Sequence, residues 1–354
     1  MTKKDRTALV LGAGGGIGGE LARQLRDRGW SVRAMNRSAR PGRREGIDWI
    51  AGDALDRSAV AAAARGCDVI AHAINPPGYR RWSQLVLPML DSSLAAAGAE
   101  GAIVVLPGTI YNYGPGVALP VTEEAPQHPA GSKGAIRVEM EARLRAFAES
   151  GRGRALVVRA GDYFGPRAGG SWFSQAMIRP GRPVRNLRYP GRPGTGHQWG
   201  YLPDVARTMV ELLDRADALE PFARFHMAGH WDPDGTAMTA AIRRIVARHG
   251  GGEPRVQAFP WWLLPLLAPF NESLREMREV RRFWQEPLPF DNARLLGVLG
   301  AEPHTPLDEA VETTLVGLGC LLSRPDSACP ASSYRSRWRH AARAAGSPDR
   351  RPGG

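Results

Sequence analysis

The 354-residue sequence is poor in the features that would place it in an oxidising compartment or in a bilayer. It has three cysteines, Cys67, Cys320 and Cys329, far apart and without C-x-x-C spacing. That argues against a disulfide framework and against a thiolate metal site. Its longest apolar run, FPWWLLPLLAPF (259–270), is interrupted by Pro260, Pro265 and Pro269. It is too short to span a membrane and reads as a buried wall of a core or substrate pocket. The opening MTKKDRTALVLG runs straight into an apolar strand pattern with no signal-peptide core, so a cytoplasmic location is expected. Internal repeats are absent.

Positive charge is plentiful but unfocused. The formal net charge is +12, and the stretch from Arg324 to Gly354 carries seven Arg against two Asp. That tail (323–354) has little to bury and is expected to be a disordered basic segment. The remaining excess is scattered without a block of one sign, which suits a phosphate-bearing cofactor or a small anionic substrate as well as it suits nucleic acid. Neither a specific nucleic-acid partner nor a membrane partner is expected. Hydrophobic residues at 43% and charged residues at 23% describe an ordinary globular protein.

Over residues 1–165, short β-branched runs alternate with helical patterns. ALVL (8–11), SVRAM (31–35), IDWIAG (47–52), DVIAHA (68–73), AIVVLP (102–107) and ALVVRA (155–160) are apolar on both faces, as parallel strands covered by helices are. Between the first two, Ile17, Leu21 and Leu25 recur at helical spacing and the pattern stops at Gly29. A second helical stretch, LVLPMLDSSLAAAGAEG, is expected to be kinked or delayed by Pro88. This alternation predicts an α/β fold: a Rossmann-like, doubly wound parallel sheet over 1–165, with a smaller C-terminal substrate-binding region over 166–322 whose helices return to the core. The long Gly/Pro/Arg-rich connection before Trp199 is of the length that is usually functional.

LVLGAGGGIGGELA sets glycines 12, 14, 15, 16, 18 and 19 between a buried strand and an amphipathic helix. Gly12 permits the tight turn and Gly15 lets the backbone approach a pyrophosphate. Gly18 lets the helix pack on the sheet, and Gly16 and Ile17 lie at the helix N-terminus, whose free N–H groups attract an anion. At the end of the second strand, Asn36 stands where an NAD selector carries an acid, and Arg37 follows. A neutral Asn does not repel a 2′-phosphate and an Arg can clamp one, so NADP is expected, with NAD as the alternative.

With the spacing Gly12-x-x-Gly15-x-x-Gly18, the chain resembles the extended short-chain dehydrogenase/reductases, in particular their NAD-dependent epimerase/dehydratase branch. AGDALD, with Asp53 and Ala54, is similar to that family's adenine-contacting turn. AHAINPP, with Ala73, is similar to the turn beside the nicotinamide ribose. LPGTIYNYG resembles the family's Ser-Ser-x-x-Val-Tyr-Gly segment and puts Thr109 at the active-site Ser/Thr position. VVRAGDYFGPR resembles the Arg-Pro-x-Asn motif with Asp162 in place of Asn. YLPDVARTMVELL and LGAEPHTPLDEAV match later family segments, so the likeness runs from about Arg6 to Gly319. It implies a nicotinamide cofactor, a small polar or carbonyl substrate, and a family that admits homodimers.

The resemblance also implies a Tyr with a Lys four residues later, and here the chain departs from it. No tyrosine occurs between Tyr113 and Tyr163. Aligning Glu141 and Leu144 puts Lys133 at the Tyr place and Arg137 at the Lys place, with about three extra residues after Pro129. Three readings stay open. Lys133 replaces the Tyr as general acid or orienting cation, with Arg137 anchoring the ribose; or Tyr111, Tyr113 or Tyr163 reaches the site; or the chain is a non-catalytic NADP(H)-binding sensor of the NmrA-like kind. The aromatics Trp172, Phe173, Trp199, Tyr201, Trp261 and Trp262 are expected to furnish a pocket. HWDPDGT lacks the late Glu of a calcium loop and reads as a turn. His226 and His230 have no third ligand, so no metal is expected. Thr109 lacks a nucleophile elbow and is expected to bond substrate.

Overall fold

The computed structural model describes residues 6–76, 82–267 and 279–321. The basic tail, Cys329 and the end of the apolar run at 268–270 lie outside these. The strands are β1 (Thr7–Leu11), β2 (Ser31–Asn36), β3 (Gly42–Arg44), β4 (Ile47–Ala51), β5 (Val69–His72), β6 (Ile103–Gly108), β7 (Arg154–Arg159), β8 (Asp162–Phe164), β9 (Asn186–Tyr189), β10 (His197–Tyr201), β11 (Phe222–His226), β12 (His230–Asp232) and β13 (Arg255–Ala258). Eight of them form one sheet in the order β11-β7-β6-β5-β1-β2-β4-β3, parallel except for β3 against β4. The chain leaves β1 in one direction through β2 and β4, then returns to the other side of β1 with β5, β6, β7 and β11. The switch point therefore lies between the C-terminal ends of β1 and β5, where an open α/β sheet leaves its crevice.

Period-two alternation explains how the sheet is covered. Ala8 and Val10 face α1 (Gly16–Asp27) and α5 (Leu202–Leu213), packing with Leu21, Leu25, Val205 and Met209. Leu9 and Leu11 face the opposite layer of α2 (Arg57–Ala64), α3 (Trp82–Glu100) and α4 (Ser132–Glu149), with Val60, Leu90, Leu144 and Phe147. Both faces are dry, which is why these strands read as continuous apolar runs rather than alternating ones. The doubly wound α/β fold is as expected. Among the described residues no helix is long and apolar enough to cross a membrane.

Several local expectations need correction. Helix α3 begins at Trp82, so Pro88 does not delay it but lies inside it, at the cost of one intrahelical bond. Arg43 and Arg44 lie in β3, which pairs antiparallel with β4. The long connection after Gly165 contains a turn of π-helix at Phe173–Met177 and then β9, which pairs in parallel with β13. Phe173, Trp199 and Tyr201 belong to the core of this half of the chain, packed with Met238, Ile242 and Leu315 against α6 (Ala237–Arg248) and the helix Leu307–Gly317, rather than to a cavity wall. Trp262 is 70% exposed. HWDPDGT begins as β12 and bends after Asp232, whose carboxylate accepts from Ala237 N and Met238 N at the start of α6.

One buried polar network ties the sheet to α4. Arg159, fully buried at the end of β7, donates from Nε to Glu141 Oε1 of α4 at 2.9 Å, and its second terminal nitrogen meets Glu141 Oε2. Asn112 Nδ2 donates to Glu141 at 2.9 Å, and Arg159 donates to the Tyr113 hydroxyl at 2.9 Å. His226 Nε2 lies 2.8 Å from Arg159 and 2.9 Å from Tyr113 Oη, and His226 Nδ1 lies 3.0 Å from the Val121 carbonyl. A carbonyl only accepts, so the imidazole proton sits on Nδ1 and Nε2 is the acceptor. Burial, reinforced by the positive charge of Arg159, holds the His226 pKa down at about 3.

The linkage sign follows. Below the ordinary value of 6.5 the unfolded chain gains a proton that folded His226 refuses until about pH 3, so His226 makes stability fall as pH drops through that window. Equilibrium urea unfolding of His226→Gln against the parent between pH 7 and pH 4 should give a shallower pH dependence, by up to about 1.4 kcal/mol per pH unit. Equal slopes would mean that His226 takes up its proton over the same pH range in the folded protein as in the unfolded chain.

Candidate active site

The residues singled out in the sequence gather at the C-terminal edge of the sheet. Gly12 follows β1 with φ +89°, and a Cβ there would strike the Ala73 carbonyl oxygen at the end of β5. A Cβ on Gly18 would strike the Gly12 carbonyl, while Gly15 N donates to Gly12 O at 2.9 Å. The turn is therefore a backbone cradle pressed between β1, β5 and α1. Helix α1 begins at Gly16 with no side-chain cap and no acid in its first turn, so its N–H groups and dipole are left to an anion. Ile17 packs beneath, against the core.

The other cofactor candidates line the same edge. Asn36 ends β2, its amide nitrogen so close to Gly14 that a Cβ there would come within 2.7 Å of it, while Asn36 Oδ1 accepts from Ser38 N at 3.0 Å. Arg37, next along, is exposed. Asp53 accepts from Leu55 N at 3.0 Å just beyond β4, and Ala54 is buried beneath it. A side-chain-free cradle, an uncapped helix start, a neutral Asn and a solvent-facing Arg together fit a dinucleotide and its diphosphate.

Thr109 ends β6, and its hydroxyl accepts from Tyr111 N at 3.2 Å, opening the 3-10 turn Ile110–Asn112. That turn meets the start of α4. Gly134 packs directly on the Tyr111 carbonyl, where any Cβ would clash. This close approach brings Lys133 beside Tyr111, and the two share a cleft with Val280, Arg282 and Phe283. Arg137, one turn further along α4, lies 5.6 Å over the Trp82 ring. After burial, its positive charge is the second reason that His72, at the end of β5, has its pKa lowered to about 3, and the same charge acts on Tyr163. Arg137 therefore lies near enough to both His72 and Tyr163 for its charge to act on them.

The three tyrosines separate cleanly. Tyr113 is fully buried in the Arg159 network, and its ionisation is pushed well up by burial. Tyr163 donates to the Gly108 carbonyl at 2.8 Å. Tyr111 alone of the three lines the cleft, and its hydroxyl donates to Asp162 Oδ1 at 2.9 Å. Behind Asp162 stands a residue that sequence reasoning missed. His197 Nε2 is 3.1 Å from Asp162 Oδ2, in contact though not aligned as a hydrogen bond. The His197 ring stacks on Trp284 at 3.7 Å. The sequence signal was faint: a His two residues before Trp199, which pairs with Asp162 only because β10 lies parallel to β8. His226 and His230 lie on different strands, and among the described residues no group of three metal-ligating side chains converges.

A doubly wound sheet with a glycine cradle at its switch point defines a dinucleotide-binding α/β protein. The match is more specific: residues 8–228 fit the model of the NAD dependent epimerase/dehydratase family, and the chain belongs to that family. Among solved structures it is similar to UDP-glucose 4-epimerase from Brucella ovis in complex with NAD (16% identity, TM-score 0.69, covering 89% of this chain and 98% of that one). It is likewise similar to UDP-glucose 4-epimerase from Bifidobacterium longum in complex with NAD+ and UDP (16%, 0.67, 87% and 97%) and to MoeE5 in complex with UDP-glucuronic acid and NAD (20%, 0.65, 88% and 98%). No curated protein matches the chain.

The Gly134 contact can be tested directly. Gly134→Ala should lower the urea midpoint by an amount equivalent to about 1–3 kcal/mol, because a helix backbone and a turn backbone must separate. Gly297→Ala, in the helix Ala293–Leu299 where an added Cβ meets nothing within 4 Å, should instead stabilise by about 0.4–1 kcal/mol. Equal effects at the two positions would contradict the packing described.

Proposed function

We propose that the chain is an NADP(H)-preferring oxidoreductase or epimerase-like enzyme of the extended short-chain dehydrogenase/reductase type, acting on a small polar or carbonyl substrate. The observation that carries this reading is the register of α4. Glu141 is locked to Arg159, and counting back in steps of four places Arg137 near His72 and Tyr163 and Lys133 in the cleft. A bound nicotinamide dinucleotide supplies the hydride donor or acceptor. Gly12, Gly15, Gly16, Ile17 and Gly18 hold its diphosphate, Asp53 and Ala54 its adenine end, Ala73 the nicotinamide side, and Asn36 with Arg37 the 2′-phosphate.

Arg137 anchors the ribose in place of the family's Lys. Thr109 orients the substrate oxygen, and Lys133 stands in place of the Tyr as the cation that polarises it. The chain has only three lysines, Lys3, Lys4 and Lys133, against 44 arginines. A compact ammonium in the cleft of so Arg-rich a chain supports a role that a guanidinium would not serve. A homodimer and a cytoplasmic location belong to the same reading.

Fluorescence titration should give tighter binding of NADPH than of NADH. Arg37→Ala should erase most of that preference, weakening NADPH by roughly 10-fold or more, as loss of a charge-assisted contact does, and leaving NADH nearly unchanged. On a panel of aldehydes, ketones and sugar nucleotides, Lys133→Met should cut NADPH oxidation while leaving NADPH affinity intact. Binding without oxidation of any panel member would favour the NADP(H)-sensor reading, and no saturable binding of either nucleotide would end both.

A further inference from the structure

We infer that Tyr111 is the proton-transfer residue of this site, with Asp162 and His197 as its positioning partners. This rests on the proposed function and deepens it: the phenol that the family carries on the helix is supplied here from the turn after β6, in the cleft that Lys133 also lines.

Three observations converge. Tyr111 and Lys133 line one cleft, held together by the approach of Gly134 to the Tyr111 carbonyl. The Tyr111 hydroxyl is already committed to Asp162 Oδ1 at 2.9 Å, and Asp162 is 7% exposed. Finally, His197 Nδ1 is 3.2 Å from the Phe283 carbonyl, which can only accept, so Nδ1 carries a proton. His197 Nε2 and Asp162 Oδ2 then face each other at 3.1 Å, both buried, and neither has another hydrogen-bond partner among the described residues. Their closeness lets the His197 ring back the Asp162 carboxylate that holds the Tyr111 hydroxyl. Trp284 stacked on His197, with Trp199 edge-on at 4.9 Å, fixes that ring in place.

The step balances as follows. For an alcohol substrate with oxidised nicotinamide dinucleotide as hydride acceptor, the substrate O–H bond breaks and its proton passes to Tyr111 Oη. The phenol's own proton moves along the existing hydrogen bond to Asp162 Oδ1. In the reducing direction the same two transfers run backwards and protonate the carbonyl oxygen.

The full-length chain labelled with 3-fluorotyrosine tests this by 19F NMR, with the Tyr111 resonance assigned from Tyr111→Phe. Saturation with NADP+ should shift the Tyr111 signal and leave that of Tyr113, sealed in the Arg159 network, in place. Saturable NADP+ binding with an unmoved Tyr111 signal would overturn the inference while leaving the proposed function standing; absence of saturable binding would overturn both. With any panel compound that is turned over, Tyr111→Phe should lower kcat by about 10²–10⁴-fold, with NADPH affinity and thermal midpoint unchanged. Asp162→Asn should lower kcat less and alter its pH profile without changing KM. Retention of activity within threefold by Tyr111→Phe would also overturn the inference. The fluorine spectrum needs no substrate, so it decides even if every panel compound is inert.

Discussion

The arrangement of this site depends on one buried ion pair, Arg159 with Glu141. Removing two charges from water costs several kcal/mol for each ion, and the pair recovers that only because its remaining hydrogen-bonding capacity is used. Here Asn112, Tyr113 and His226 take it up. A pair so completed stabilises little by itself, yet breaking it would strand a charge in the core. Its effect is to fix the rotation of α4 about its own axis. Once Glu141 faces β7, the positions four and eight residues earlier must face the sheet edge and the cleft.

That constraint gives the departure from the family pattern its meaning. With α4 held by Glu141, the place normally taken by a phenol cannot swing away to solvent, and the side chain there must suit the cleft. Lys133 does so as a half-buried ammonium beside Tyr111, near the mouth shared with Arg282 and Phe283. In the function proposed, the pair of chemical functions is retained while the elements bearing them change: the ammonium on the helix and the phenol on the turn after β6. The same exchange explains a carboxylate at Asp162. A phenol presented from the turn needs an acceptor behind it, and Asp162 provides one at 2.9 Å.

How much of this was legible in the sequence follows from the range of each interaction. The cradle from Gly12 to Gly18 is local, set by strand, turn and helix that are contiguous in the chain, and the alternation of strands and helices announced the doubly wound sheet. That Glu141, Leu144, Lys133 and Arg137 share one helix was legible because all four lie in a single local stretch, now seen as α4. The partnership of Asp162 with His197 was not reachable. It depends on β8 and β10 pairing in parallel although they are far apart in the chain, and nothing near either residue specifies that contact. Composition misled in the same way for Trp199 and Tyr201, core residues of the second half of the chain, and for Trp262, which faces water. An aromatic's type gives its capacity for burial, whereas its partners are chosen by tertiary packing.

Backbone contacts, more than side chains, make the cleft rigid. Gly134 against the Tyr111 carbonyl, Gly12 against Ala73 and Gly18 against Gly12 are approaches in which no rotamer can relax the geometry. Side chains hung on such contacts inherit their precision, which is what proton transfer over a single hydrogen bond demands. The cations are held too: Arg282 donates to the Tyr113 carbonyl at 3.2 Å and to Glu286 at 2.7 Å, and Arg137 lies 5.6 Å over the Trp82 ring.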